Sequence, residues 1–376
     1  MAEIDRILIV GGGIGGLSMA TALHRQGFTS EMVERGPAWP AAGAGIALHA
    51  NGVRVLQTLG LGEALDRVAA IIPRWKFLDQ QGDLLCETDL KEFWHEVGSC
   101  LGTTRVRLQE ILLRGAAQVS HRLGVSVVDL VQDGDRVSVG FSDGSSGDYD
   151  LVVGADGIYS TVRRLAVSSA LPSYAGNMAW RSVIPNRPPG VTDLVILLGD
   201  GCFFGLVPVG EGSTYGFGAV DAEERFDDPL VGRLERFRRR FAGFGGPVAA
   251  YLGALERDEQ LHFGPIEWVE PDRWYSGRVV LIGDAAHAAP PHMGEGGSMA
   301  IEDAAVLAEV LRAVDTVESA LEAYVARRRP RTEWVQEQSR IAARGWLLPP
   351  AVRNAVLRER GDRMLRERYR PLILAP

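Results

Sequence analysis

The chain opens with a switch between two hydrophobic periodicities. Ile7-Leu8-Ile9-Val10 is a continuous apolar, β-branched run, which predicts a short strand buried on both faces. Ile14 to Arg25 then spaces its apolar residues as a helix does, and Gly27 supplies a stop. Thr29–Val33 returns to a strand pattern that ends at Glu34. Short strands are predicted from Ile71 to Thr88 around a turn at Gln81-Gly82-Asp83. An amphipathic helix follows over Arg105–Ala117, with Leu108, Ile111, Leu112 and Ala116 on one face. Val125–Asp129, Arg136–Phe141 and Tyr149–Val153 read as strands separated by Asp-Gly turns. Ile184 to His262 is mostly strand-like, including Leu194–Leu198, Phe203–Val209 and Tyr215–Val220, with an arginine-rich helix around Leu230–Phe241. A buried strand at Val279–Ile282 leads to a long amphipathic helix from Gly296, and the chain beyond Thr316 reads as helical.

This order predicts an α/β fold (mixed α+β): a Rossmann-like nucleotide-binding domain made of residues 1–70, 98–170 and 278–340. A β-rich substrate domain, residues 71–97 and 171–277, is inserted into it, and residues 341–376 form a C-terminal helical tail. The 376 residues suit about two domains at ~150 residues each. Hydrophobic and charged fractions of 46% and 23% are those of an ordinary globular protein. A formal net charge of −8 argues against a general nucleic-acid binder. Lys76 and Lys91 are the only lysines, which excludes a Walker-type phosphate loop. Cys86, Cys100 and Cys202 form neither a disulfide framework nor a zinc-ligand pattern, and no metal site is expected. No apolar run reaches the ~18 residues of a membrane span. The N-terminus enters a strand directly without a secretory signal, so the cytoplasm is the expected compartment, for a monomer or homodimer.

Gly11, Gly13 and Gly16 form G-x-G-x-x-G directly after the first strand. The first permits a tight turn, the second lets backbone approach a pyrophosphate, and the third lets helix pack on strand. Glu34 lies 23 positions after Gly11, about where a carboxylate meets ribose hydroxyls. Strand, glycines, helix and terminal acid in register predict a bound adenine dinucleotide, NAD or FAD. Two further motifs follow buried strands: GADGIYSTVRR at Gly154–Arg164, and GDAAHAAPPHMGEGGSM beginning at Gly283.

The three motifs in this order resemble the single-component FAD-dependent aromatic hydroxylases, the p-hydroxybenzoate hydroxylase-like flavoprotein monooxygenases. The likeness runs from Ile7 to about Ser339. Gly45–Leu56, the R-x-x-L of Arg105–Leu108, and Tyr174-x-Gly176 leading to Trp180-Arg181 support it. It implies that FAD is held by the Gly11, Gly13, Ile14, Gly15 and Gly16 turn, with Glu34 on the adenosine ribose and Arg35 and Gly45 nearby. Arg105 would contact the diphosphate or ribityl region, and Asp156 would link FAD binding to NAD(P)H use. Asp284 would accept from ribityl hydroxyls, and Gly294, Gly296 and Gly297 would bring backbone N–H groups to the flavin. The last role also has a physical basis, because a helix N-terminus suits the negative charge of reduced flavin.

The resemblance further implies that NADH or NADPH reduces FAD, that O2 adds to give a flavin C4a-hydroperoxide, and that an electron-rich aromatic small molecule is hydroxylated. NAD(P)H would bind without a Rossmann domain of its own. Departures from the family pattern stand at Ala288 (often Pro), Glu295 (commonly Gln) and Met299 (often Asn or Gln). A carboxylate at Glu295 would oppose flavin reduction unless it points away. The catalytic candidates are Tyr215, His292 and Arg181; the substrate-binding candidates are Phe203, Tyr215, Pro291 and His292. All but Pro291 have a plainer reading: a strand tyrosine, a solvated loop histidine, an arginine paired with a local carboxylate, a core phenylalanine. His287 reads as structural, and His49 is a further candidate base near the flavin. The runs Arg238–Arg240 and Arg327–Arg329 read as solvated helix faces. Competing functions are an FAD-dependent epoxidase or reductase of a natural product, and a non-catalytic flavin- and metabolite-binding protein. The tryptophan motif of flavin halogenases is absent, and no thioredoxin-like domain is expected after the tail.

Overall fold

The computed structural model describes residues 4–39, 44–210 and 212–376. Residues 1–3, 40–43 and 211 lie outside the described residues. Ile7–Val10 is buried along its whole length, as its apolar run requires, and occupies the middle of a six-stranded sheet. It pairs in parallel with Ser30–Glu34 on one side and Leu151–Gly154 on the other. Val279–Leu281 extends the sheet in parallel beyond Leu151–Gly154, and Ser120–Leu123 flanks Ser30–Glu34. The unanticipated Ser120–Leu123 strand is polar and lies at the sheet edge, so it carries no apolar periodicity. The four central strands run the same way, so Gly11, Glu34, Ala155-Asp156 and Gly283-Asp284 all emerge at one edge of the sheet. In open α/β sheets that carboxyl edge is where ligands bind.

A seven-stranded sheet forms the inserted unit, in the order His262–Trp268, Ser173–Ile184, Thr214–Asp221, Cys202–Pro208, Leu194–Leu198, Arg74–Asp79, Leu84–Asp89. Its pairings are antiparallel except Leu194–Leu198 with Arg74–Asp79. The two segments assigned to the inserted domain therefore meet in one sheet. The helices Arg233–Phe241 and Val248–Ala254 cover one face, packing Phe237, Phe241 and Tyr251 against Trp180, Phe204 and Leu206. Val248–Ala254 is helical where strand was expected. Tyr251 accounts for its placement: its ring lies where a Cβ on Gly216 would be, 2.3 Å from the ring carbon that bears the hydroxyl. The other face holds Trp75, Phe77, Phe203 and Ala219, and packs with Met293, Met299 and Tyr369.

The tail boundary expected at residue 341 is not an element boundary. Val317–Trp346 is one continuous helix, and Pro350–Tyr369 lies against the strand Leu84–Asp89. Thr88 donates from Oγ1 to Asp362 across that contact at 2.7 Å. Among the described residues, no helix is long and apolar enough to cross a membrane.

Candidate functional site

The three glycines of the first turn do three different things. Gly11 has φ +106°, and a Cβ there would lie 2.5 Å from the Ala155 carbonyl oxygen, so the turn and the second motif touch backbone to backbone. A Cβ on Gly16 would lie 1.8 Å from the Gly11 carbonyl oxygen, which fixes the helix against the turn. Gly13 is exposed, and a Cβ there would meet nothing within 4 Å. It is also the N-cap of Ile14–Arg25 and supplies no side-chain cap. The first N–H groups of that helix therefore face open space, the arrangement that binds a diphosphate.

Glu34 accepts from Gly12 N and Gly36 N, each at 2.7 Å, which fixes its carboxylate beside the turn. Each oxygen retains a lone pair for a ribose hydroxyl. Ile14 and Gly15 are half-buried, Gly15 packing toward Ile282 and Ala300 of the third motif, and Arg35 is exposed. Asp284 is exposed, with Oδ1 3.8 Å from where a Gly296 Cβ would stand. Gly296 and Gly297 begin the helix Gly296–Ala313, which also lacks a side-chain cap, and Gly294 turns into it at φ +66°. These groups suit an extended dinucleotide: two open helix N-termini, one exposed acid and one held acid. Asp156 is used differently, since its carboxylate accepts from Ser160 Oγ, Thr161 N and Val162 N. It caps the turn beside Gly11. Arg163, absent from the sequence candidates, donates to Ile158 O and Ala285 O and ties the second motif to the third.

Beneath this edge lies a dense ionic cluster. Asp303 accepts from Gly283 N at 2.9 Å, from Arg328 Nε at 2.8 Å, and pairs with His287 Nε2. Glu302 accepts from Arg328 Nη1 at 2.6 Å and from Arg331 Nε and Nη2 at 2.8 Å each. The side chains of Arg328, Glu302 and Asp303 are wholly buried. Burial pushes both carboxyls up, but the adjacent cations outweigh it and hold both below their ordinary values. His287 is thus engaged with Asp303 inside this cluster. The Arg327–Arg329 run is not a solvated face, because its central member is the counter-ion of two buried acids. Nor is Arg238–Arg240 simply solvated: Arg238 donates to Leu252 O, and Arg240 lies over the Trp180 ring at 5.2 Å.

Glu295, the N-cap residue of Gly296–Ala313, is also buried, but among the described residues it meets no cation within ion-pair range except through His49, whose Nδ1 is 3.4 Å from Oε1. Asn51 Nδ2 donates to Glu295 Oε2 at 3.1 Å and to Glu302 Oε1 at 3.0 Å, linking the two acids. Burial pushes the Glu295 carboxyl up to about 8 and His49 down to about 4. His49 stacks on Tyr369 at 4.9 Å, and Tyr369 donates to Met293 O.

Tyr215 is half-buried where the inserted sheet meets the strand Gly45–Leu48. A Cβ on Gly45 would lie 2.3 Å from Tyr215 Cβ, so this glycine makes room for the tyrosine. Arg181 on the neighbouring strand faces the Tyr215 hydroxyl, and the exposed Arg105 is near enough to act on it electrostatically. Burial raises the Tyr215 phenol above its ordinary value, and both arginines partly oppose that. Among the described residues Arg181 has no carboxylate partner, so the local-pair reading of Arg181 fails. His292 is not a solvated loop histidine. It is buried against Phe203 and Trp346, with ring centroids 5.7 and 4.8 Å away, and burial lowers it to about 4. A small pocket beside it is lined by Asn177, Cys202, Phe203, His292 and Trp346. Pro291 is exposed at the start of the turn Pro291–Met293. The structure thus brings Tyr215, Arg181, Arg105 and Gly45 together, and Phe217 joins Tyr215 to Phe203 and His292 on the same face of the sheet, with ring centroids 5.3 Å from Tyr215 and 6.3 Å from Phe203. No group of residues suited to a metal ion occurs among the described residues.

A family model described as "FAD binding domain" matches residues 5–224 and 265–339. The chain is 34% identical over 322 residues to the aurachin C monooxygenase/isomerase of Stigmatella aurantiaca, covering 85% of this chain and 84% of that protein. It is 32% identical over 359 residues to the 2-heptyl-3-hydroxy-4(1H)-quinolone synthase of Pseudomonas aeruginosa, covering 94% and 93%. The crystal structure of Klebsiella pneumoniae HpxO complexed with FAD and uric acid superposes with a TM-score of 0.91 at 28% identity, covering 99% and 97%.

Proposed function

We propose, from the premise that this chain belongs to the FAD binding domain family and is an FAD-dependent aromatic monooxygenase, that it takes electrons from NADH or NADPH and hydroxylates an electron-rich ring bearing an ionisable oxygen. When bound, FAD supplies hydride acceptance and activation of O2 for transfer of one oxygen atom. The chain's own part is to bind, orient and keep dry. Gly13 and the head of Ile14–Arg25 hold the diphosphate, Glu34 the ribose, Asp284 the ribityl hydroxyls, and Gly296–Gly297 the flavin edge. Asp156 acts by fixing the second motif against Gly11.

The observation that carries the substrate reading is the Arg181–Tyr215 pair opposite Gly45. Arg181 has no carboxylate partner among the described residues, and the buried Tyr215 phenol stays protonated at neutral pH. Such a pair receives a ring oxygen as it gains negative charge, the guanidinium by charge and the phenol by donating a hydrogen bond. The ring would then present a carbon toward Gly294–Gly297. The quinolone in one relative's name and the uric acid bound in a similar structure are both fused nitrogen heterocycles with oxygen substituents, and a compound of that class is the first choice. His292 and Phe203 would bound the site without touching the reacting atoms. With three scattered cysteines and no long apolar helix among the described residues, the reducing cytoplasm is the fitting compartment.

The test is NAD(P)H oxidation by the FAD-loaded protein across phenols, aromatic acids and fused heterocycles, with peroxide and product measured together. One compound should stimulate oxidation and emerge hydroxylated with little peroxide. Tight binding of aromatic ligands with no stimulated oxidation would overturn the reading in favour of a flavin- and metabolite-binding protein.

A further inference from the structure

Several buried polar atoms around this loop have no hydrogen-bond partner, Asn51 Oδ1, His292 Nδ1 and Ser298 Oγ among them, and two of them, Glu295 Oε1 and His49 Nδ1, face each other at 3.4 Å. We propose that Glu295 and His49 hold one proton between them as an uncharged pair, and that this pair sets how readily the bound flavin accepts negative charge. The proposal rests on the FAD reading given above. Glu295 is the N-cap of Gly296–Ala313, the helix whose first N–H groups would meet the flavin. An ionised carboxylate at that position would cancel the positive end of the helix, whereas a neutral one leaves the field directed at the cofactor.

The surroundings favour the uncharged state. On the His49 side, Asn51 donates to Glu295 Oε2. From the Gly296–Ala313 helix, Ser298 and the ionised Glu302 face Glu295, and Glu302 repels a second negative charge. From Val317–Trp346 comes Arg331, but Nε and Nη2 of its guanidinium both bind Glu302. From Pro350–Tyr369 comes the Tyr369 phenol, stacked on His49, and Cys100 lies on the remaining side. Trp75 and Trp94 set ring edges against His49 at 5.6 and 6.4 Å and exclude water. The arrangement that satisfies both orphaned atoms has the Glu295 O–H donating to His49 Nδ1, with the ring hydrogen on Nε2. Burial acts on both groups in the same sense, raising the acid and lowering the imidazole, so at neutral pH the proton rests on the carboxyl.

Glu295 is therefore a positioning residue that acts through the helix end. Reduction adds negative charge beside it and strengthens its hold on the proton. In the alkaline range, reduction of FAD should thus take up one proton more per two electrons than it does in a Glu295→Gln chain. Two measurements separate the halves of the claim. Infrared spectra of the cofactor-free protein at pH 7 should contain a protonated-carboxyl C=O band that titrates near pH 8 and is lost in Glu295→Gln. Its absence from the wild type would overturn the shared proton. On the FAD-loaded protein, the midpoint potential should fall more steeply above about pH 8 in the wild type than in Glu295→Gln. Parallel profiles would overturn the coupling. If Glu295→Gln does not fold, His49→Gln decides: the band's midpoint should move, and an unmoved midpoint refutes the sharing. Failure of the wild type to bind FAD would overturn the cofactor reading and the coupling with it, while the infrared result would still decide the pair.

Discussion

Glu302 and Asp303 in the middle of the Gly296–Ala313 helix and Glu295 at its head are equally buried, yet their surroundings dictate opposite charge states. The middle pair meets Arg328, Arg331 and His287, with every oxygen engaged. The head residue meets an amide, a hydroxyl and a neutral imidazole. Both regions lie in the same part of the fold, so the difference comes from cation supply alone. A buried acid with a matched cation becomes a clamp, and without one it keeps its proton. The clamp holds Gly283 N and so fixes the third motif. The open head, with Gly13 and Asp284 beside it, is left free for a ligand.

The sharpest way to break the comparison is to remove the cation. Arg328→Met would take the shared cation from two buried carboxylates, leaving Glu302 with Arg331 and Asp303 with His287 and Gly283 N, and should cost about 3–5 kcal/mol of stability, read as a lowered urea midpoint. A loss under ~1 kcal/mol would mean that the clamp is not ionic. The same substitution with Asp303→Asn should recover much of the loss, because Glu302 still has Arg331 and no charge is then left unpaired.

The contrast between closed and open regions extends to the glycines. Gly16→Ala should weaken the fold, since its Cβ would collide with the Gly11 carbonyl. Gly13→Ala has room within the protein and should change stability by less than ~1 kcal/mol while lowering FAD affinity about tenfold or more, measured by flavin fluorescence titration. Equal FAD affinity in Gly13→Ala would place the diphosphate elsewhere. The smallest effect is expected at Tyr369→Phe. Losing its hydrogen bond to Met293 O should cost about 0.5–1.5 kcal/mol in thermal or urea unfolding. No loss would show that the stack on His49 alone holds this helix in place.

What the sequence makes legible follows the same division. The first strand, its glycines, the helix stop at Gly27 and the acid at Glu34 are encoded within one short stretch, and local sterics suffice to read them. The split of the inserted sheet is readable because the strand-like stretches on either side of it both depart from the nucleotide-domain pattern. Arg328 is not readable. Three consecutive arginines on a helix look alike until the tertiary packing selects one to face Glu302 and Asp303. Glu295 stands out in sequence as a departure, but its charge depends on burial and on the cations it does not meet, and both are long-range. Arg181 and Tyr215 meet only because Ser173–Ile184 pairs with Thr214–Asp221 in the register that sets Val183 opposite Tyr215. Tyr369 reaches Met293 from the far end of the chain, and nothing local announces it.

The two regions should also leave opposite marks on stability against pH. Glu302 and Asp303 are held below their unfolded values, so their stabilisation is present above about pH 4 and is lost as pH falls through their folded values. Glu295 is raised, so its contribution is full below its unfolded value and is lost as pH rises through about 8. The most direct test is urea unfolding of the cofactor-free wild type and Glu295→Gln at pH 6 and pH 9. The account predicts that the wild type loses roughly 2–3 kcal/mol more than the variant over that interval. Equal losses in the two proteins would mean that Glu295 is already ionised at pH 6, and the contrast between the head and the middle of the helix would not stand.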